Sequence, residues 1–191
     1  MIKGKIQVDT APIGGVFNTS KSLEIKTTDA PIAIHVGLTH KDDGPGPRLV
    51  LETNNAPIVA NVSLLTTSEQ PGGSYNIRTT TSNAPLEVSF PTSPVDSALE
   101  FYGSTSNNPA EVSLHSAYQG SFSIATSLFG ASVIVDHDVD DPSGRGRQRN
   151  VVISEKRISN EASGEVWWGK ERTSKGNVHL ETSILPVVLR L

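Results

Sequence analysis

Apolar residues alternate along most of this chain, and the alternation breaks at the same short phrase each time. Leu23, Ile25 and Thr27 lead into Ala30, Pro31, Ile32, Ile34 and Val36. Leu49, Leu51 and Thr53 lead into Ala56, Pro57, Ile58, Ala60 and Val62. Tyr75, Ile77, Thr79 and Thr81 lead into Ala84, Pro85, Leu86, Val88 and Phe90. A period of two residues marks a strand with one buried face. Each unit therefore predicts two strands joined at a short Thr-x-x-Ala-Pro corner. Proline is tolerated where a ladder starts, and it holds the preceding residue extended. Asp29, Asn55 and Asn83 suit a turn through local side-chain hydrogen bonds. No stretch has helical periodicity.

Weaker copies follow the same pattern. Pro12, Pro109 and Pro186 fill the proline slot, and Gly130 stands in it once. The gap from Gly130 to Pro186 is about twice the longest other interval. One degenerate unit with its corner at Gly164 would fill that gap, making eight units of about 25 residues. Antiparallel hairpins would make a sandwich, but hairpins favour Asn-Gly or Asp-Gly loops. A solenoid instead stacks like positions, which explains the recurring Thr27, Thr53, Thr81, Thr105, Thr126 and Thr182. Stacked threonines can hydrogen-bond along the ladder. The expected fold is all-β: one β-solenoid domain over 1–191, parallel β-helix-like, of about eight irregular coils, with an interrupting flap at 136–176. Ile25, Leu51, Ile77, Phe101, Ile124 and Leu180 are expected to form one buried stack. The flap is expected to lie over one face, burying Val151, Ile153, Ile158, Val166 and one of its two tryptophans.

Composition narrows the functional classes. The 191 residues carry a net charge of −4, which argues against broad attraction to nucleic acid. The absence of cysteine fits a reducing compartment. Met1-Ile2-Lys3-Gly4-Lys5 has no apolar leader, so a cytoplasmic location is expected. No apolar run is long enough to span a membrane. The sequons at Asn18 and Asn61 are expected by chance in a chain so rich in Ser, Thr and Asn.

The Asn-Ala-Pro corners, together with Asp141-Pro142-Ser143-Gly144-Arg145-Gly146-Arg147-Gln148-Arg149-Asn150, resemble an uncharacterised basidiomycete β-repeat family. Ala117-Tyr118-Gln119-Gly120-Ser121-Phe122 is similar to that family as well. Ser163-Gly164-Glu165-Val166 is distantly similar to the Ser-Gly-Asp-Ile corner of bacterial adhesin-type β-solenoids. The resemblance implies a β-repeat fold and carries no catalytic residues over.

Candidate chemistry gathers where the repeat is interrupted. Asp136, Asp138, Asp140 and Asp141 offer the oxygen density a hard cation wants, yet without EF-hand spacing a solvated acidic turn reads better. His137 beside them is a candidate acid–base group. Arg145, Arg147 and Arg149 suit phosphate, sulfate or carboxylate, or else neutralise the preceding aspartates. Of Trp167 and Trp168, alternation sends one ring inward and one outward, where it is a stacking platform or is covered by the 136–150 loop. A ligand site is expected beneath the flap at Arg145, Arg147, Arg149, Trp167 and Trp168. The histidines show no metal-ligand spacing, and no nucleophile elbow or phosphate loop appears.

The leading functional expectation is a non-enzymatic binding or assembly module with no catalytic residues, no cofactor, and a glycan or anionic ligand. A carbohydrate-active β-helix enzyme is the alternative, with Glu87 and Glu111 in like slots of successive coils. A surface- or ice-binding protein is a third, needing outward threonine rows. The chain stops on Leu191 inside an alternating run, so a partner covers that solenoid end or an earlier segment folds back across it, and homo-oligomerisation through solenoid ends is the expectation.

Overall fold

The computed structural model describes residues 3–41, 44–67, 72–156 and 160–191. Ile158 lies outside them. Among the described residues there is no helix, and the strands form two facing sheets, one of nine strands and one of seven. The chain is a parallel β-solenoid. Coils one to five are β1 (Lys3–Gln7) with β2 (Ile13–Thr19), β3 (Ser22–Lys26) with β4 (Ile32–His40), β5 (Arg48–Glu52) with β6 (Ile58–Thr66), β7 (Ser74–Thr80) with β8 (Leu86–Thr92), and β9 (Ala98–Thr105) with β10 (Ala110–Ser113). Each strand pairs in parallel with its counterpart in the next coil.

The sixth layer breaks sequence order. The next coil in sequence is β11 (Gly120–Thr126) with β12 (Ala131–Ile134), yet it does not pair with the fifth. The last coil of the chain, β15 (Asn177–Thr182) with β16 (Val187–Arg190), is inserted between them. Val178, Leu180, Val187 and Leu189 are fully buried there, and Leu191 is 6% exposed. The expectation that Leu191 leaves an open solenoid end is therefore corrected: the C-terminal coil is an interior layer. The open edges belong to β1 and β2 at one end. At the other they are β12 and β13 (Arg149–Lys156), where Leu128 and Phe129 are 63% and 53% exposed.

The expected eighth coil with a corner at Gly164 is also corrected. Residues 161–168 are one strand, β14 (Glu161–Trp168), antiparallel to β11 on one side and to β13 on the other. The described residues form seven coils and a pair of antiparallel strands, and that pair extends one sheet rather than lying over a face. Gly164 is opposite Phe122, and a Cβ there would sit 2.5 Å from that ring and 2.0 Å from the Val152 carbonyl oxygen. Glycine makes room at a close approach of strands, not at a turn. Of the expected flap core, Val166 and Trp168 are buried, Val151 is partly so, and Ile153 is exposed.

Threonine stacking holds, but the contacts around it differ from those expected. Thr27, Thr53, Thr81, Thr105, Thr126 and Thr182 are all buried, so the best threonine row faces the core. They do not bond one another. Thr81 Oγ1 donates to the Ala56 carbonyl at 3.2 Å, Thr105 to Ala84 at 3.0 Å, and Thr126 to Leu185 at 3.2 Å, each fastening one coil's corner to its neighbour. Asp29, Asn55, Asn83 and Asn107 likewise bond between coils rather than locally. Each Asn amide donates to the side-chain oxygen of the coil before, at 2.6, 2.7 and 2.6 Å. The expected apolar stack slips by one position. Ile77 lies beside Leu49, and Leu51 beside Thr79. Phe101 lies beside Val178, and Leu180 beside Gly103. All six predicted residues are buried, but they occupy two adjacent columns.

Candidate functional site

Inserting the last coil forces two connections to cross. Residues 114–119 climb over the sixth layer, and residues 169–176 return to it. Gln119 sits at the crossing, 2% exposed. Its Nε2 donates to Asp96 Oδ1 at 3.0 Å, and its Oε1 accepts from the Trp168 N–H and the Thr173 hydroxyl, both at 3.3 Å. Lys175 Nζ donates to Asp96 at 2.8 Å. That ammonium, with Gln119 helping, holds the Asp96 carboxyl below its usual range. A buried polar cluster is stable only when its members are satisfied, and these are. No spacing in the sequence marks Asp96, Gln119 or Lys175, because their meeting depends on the order of the layers.

The loop before β13 is organised by Asp141. Its carboxylate accepts from Arg147 Nε at 3.1 Å and Nη2 at 2.9 Å, from the Ser143 hydroxyl at 2.8 Å, and from the backbone N–H groups of Ser143, Arg145 and Arg147. The Arg147 fork, backed by these donors, holds the Asp141 carboxyl far below the carboxylate range. Its side chain is 4% exposed and has no lone pair to spare for a cation. Asp136 caps the Asp138 N–H, and Asp138 and Asp140 are exposed. Among the described residues, no three His, Asp or Glu side chains converge as a metal site. Arg147 also lies 5.9 Å from the centre of the Trp168 ring. Trp168 is 5% exposed and donates its Nε1–H to the Ser116 carbonyl at 3.0 Å. Arg145 is exposed.

Arg149 and Trp167 stand apart from this closed cluster. They line a groove of about 470 Å³ at the hairpin end of the solenoid, with Val135, Asp136, His137 and Val151. Arg149 donates from Nη1 to the Asp136 carbonyl at 3.2 Å, while its Nε and Nη2 are buried with no partner. Burial pulls the Arg149 pKa down, and the Asp136 carboxylate opposes that. Trp167 is partly exposed, with Arg172 5.5 Å from the ring centre and itself paired to Glu165.

A second polar cluster lies on the outer face of the nine-stranded sheet. Tyr102 donates to Glu181 at 2.5 Å, His179 meets Glu181 at 3.2 Å, and Arg78 lies 4.3 Å from the Tyr102 ring centre. Tyr102 and His179 are widely separated in sequence and meet only through the inserted coil. Glu87 and Glu111 are adjacent in register as expected, but Glu111 is bound by Arg190 Nε at 2.5 Å. Among the described residues, these features define a parallel β-solenoid with an ion-paired surface and one buried guanidinium, Arg149, that has unpaired nitrogens. The chain matches no family model, no curated protein and no solved structure. Among the described residues, no helix is long and apolar enough to cross a membrane.

Proposed function

We propose that the chain is a non-enzymatic β-solenoid module for binding or assembly. The state of the ionisable groups supports this best. Every described carboxyl with a displaced pKa is displaced downward. Asp96, Asp141 and Glu165 are held low chiefly by Lys175, Arg147 and Arg172, and Glu181 by the Tyr102 hydroxyl. Burial pushes Tyr75 up to about 12 and also raises Tyr102 and Tyr118. Acid–base catalysis near neutrality asks for carboxyl groups raised or hydroxyls lowered. Here the Asp96–Lys175 and Glu181–Tyr102 contacts fasten coils together, and the Asp141–Arg147 and Glu165–Arg172 pairs each hold one local segment.

The test is a panel of neutral and acidic oligosaccharides, with binding read by calorimetry and products by chromatography. Binding without product is expected. Product formation abolished by Glu87→Gln or Glu111→Gln would instead support a carbohydrate-active enzyme. We place self-association at the β12–β13 end, where Leu128, Phe129, Ile134 and Val152 are exposed. Light scattering at micromolar concentration should show a species that Phe129→Asp disperses, and a wild-type monomer would refute that placement.

A further inference from the structure

We propose that Arg48 and Arg78 bind the acid groups of a linear acidic polysaccharide lying along the solenoid axis, on the outer face of the nine-stranded sheet. This rests on the reading of the chain as a binding module.

Register fixes the two arginines on one face. Across β5 and β7, Arg48 is opposite Asn76 and Val50 is opposite Arg78, so the arginines stand on adjacent strands two positions apart. A strand spacing of about 4.8 Å and a rise of about 3.3 Å per residue put their Cα atoms about 8 Å apart. Both are exposed, while the alternate residues Leu49, Leu51 and Ile77 are buried. Among the described residues, no carboxylate pairs with either arginine. Arg78 lies instead over the Tyr102 ring, 4.3 Å from its centre. Stacking leaves the N–H donors in the plane of the fork, open to an acid group. His179 stacks on Tyr102, and Glu181 binds both side chains, so Arg78 is oriented before a ligand arrives.

The grooves give the ligand its direction and class. Arg48 and Arg78 line two grooves at once, one of about 510 Å³ reaching to Lys5 and one of about 270 Å³ reaching to His179. Lys5 belongs to the first layer and His179 to the sixth, so the joined path spans five strand spacings, about 24 Å along the axis. Four cations and two carboxylates line the larger groove, a surplus of two positive charges on a chain of net charge −4. Both carboxylates, Glu24 and Glu52, are held by Lys26, at 3.4 and 2.8 Å, which leaves the arginines to an external anion. Each arginine is exposed, so a single acid group gains little from one of them. A polymer that crosses several coils adds such contacts together. The ladders use the backbone groups of these strands, so a peptide cannot be bound here as an added strand. Side chains do the reading. Ser22 and Asn76 flank Arg48 in its row, and their hydroxyl and amide suit the hydroxyls of a sugar.

The experiment titrates the full chain by calorimetry with hexagalacturonate and with a chondroitin sulfate hexasaccharide. Maltohexaose is the neutral probe and hexaglutamate the peptide probe. At least one acidic sugar should bind, and added salt should weaken it. Binding of hexagalacturonate assigns carboxylate as the acid group, and binding of the chondroitin hexasaccharide alone assigns sulfate. Arg48→Gln and Arg78→Gln should each lower the affinity about two- to fivefold, the worth of an exposed charge pair, and together by about the product. Glu100→Gln removes a carboxylate from the smaller groove and should raise the affinity. Arg190→Gln removes a positive charge from the other sheet and should leave it unchanged. Arg48→Gln should keep the wild-type Tm, because that side chain fastens nothing in the fold, so its lost affinity reports on the ligand. An equal loss in Arg190→Gln would mean that overall charge alone attracts the probe, and would overturn the proposal. So would an unchanged affinity in the double variant, hexaglutamate or maltohexaose binding as tightly as the acidic sugars, or no binding of either acidic sugar at millimolar concentration. Binding that survives the double variant removes this site but leaves the module reading standing. Cleavage of a probe removes the module reading itself.

Discussion

Leu180 and Gly103 should be energetically coupled, because the inserted coil places one directly over the other. They are register partners across β15 and β9. Leu180 is fully buried, so Leu180→Ala should cost about 2–5 kcal/mol from lost burial and the cavity left behind. A Cβ on Gly103 would lie 2.7 Å from Leu180 Cδ1 and 2.9 Å from Phe101 Cε1. Both side chains must then shift, and Gly103→Ala should cost about 1–3 kcal/mol. In the double variant the Leu180 clash is gone and the new methyl occupies part of the cavity. Only the Phe101 contact remains. The double variant should therefore be less destabilised than the sum by about 1–2 kcal/mol, within the range seen for touching residues. Urea unfolding gives each free energy, provided that the m-values agree. Leu38→Ala, in the second coil, serves as the control and should add to Gly103→Ala within about 0.5 kcal/mol. Additivity between Gly103→Ala and Leu180→Ala would mean that β15 does not lie beside β9, and the inserted topology would fall.

Three further outcomes follow from the geometry. Thr81→Val should destabilise by about 1 kcal/mol, because Thr81 bonds the Ala56 carbonyl. Thr79→Val, two residues away, should be neutral or stabilising, because the Thr79 hydroxyl is buried without a partner; equal costs at both sites by thermal melting would contradict the corner bonding. Asn83→Ala breaks two links of the amide ladder and should cost about 1–2 kcal/mol, whereas Ser82→Ala should cost less. Arg147 depresses the folded-state pKa of Asp141, so its contribution is complete above the unfolded value of about 3.9 and is lost as pH falls below it. The unfolding free energy from urea titration should therefore fall between about pH 4 and pH 2 while the Trp168 fluorescence of the folded protein stays constant, and Asp141→Asn should be destabilised at neutral pH and lack that pH dependence. A folded-state Trp168 signal that titrates near pH 4, as an unpaired carboxyl would make it, would refute the pairing.

Period-two alternation and the Thr-x-x-Ala-Pro corner were enough to establish parallel coils, two sheets and a buried threonine column. Those features depend on contacts within a unit and with a like unit, and the repeated phrase records both. The short span between Asp141 and Arg147 likewise made their pairing legible. Layer order was not legible. The inward rows of all coils are apolar, so the alternation of Val178, Leu180, Val187 and Leu189 suits any layer. Only the lengths of 114–119 and 169–176, and the fit of Leu180 over Gly103, put the last coil sixth. The same limit explains the misplaced Ile77 and Phe101: Thr79 and Gly103 replace apolar residues in their column, so the eye counts to the wrong neighbour. Glycine usually marks a turn, so the sequence at Gly164 suggests a corner, whereas the Phe122 ring beside it decides its role. Asp96 with Gln119, Tyr102 with Glu181, and the unpaired edge of Arg149 all arise where distant segments meet. A local pattern cannot encode such sites, because they are properties of how the layers stack.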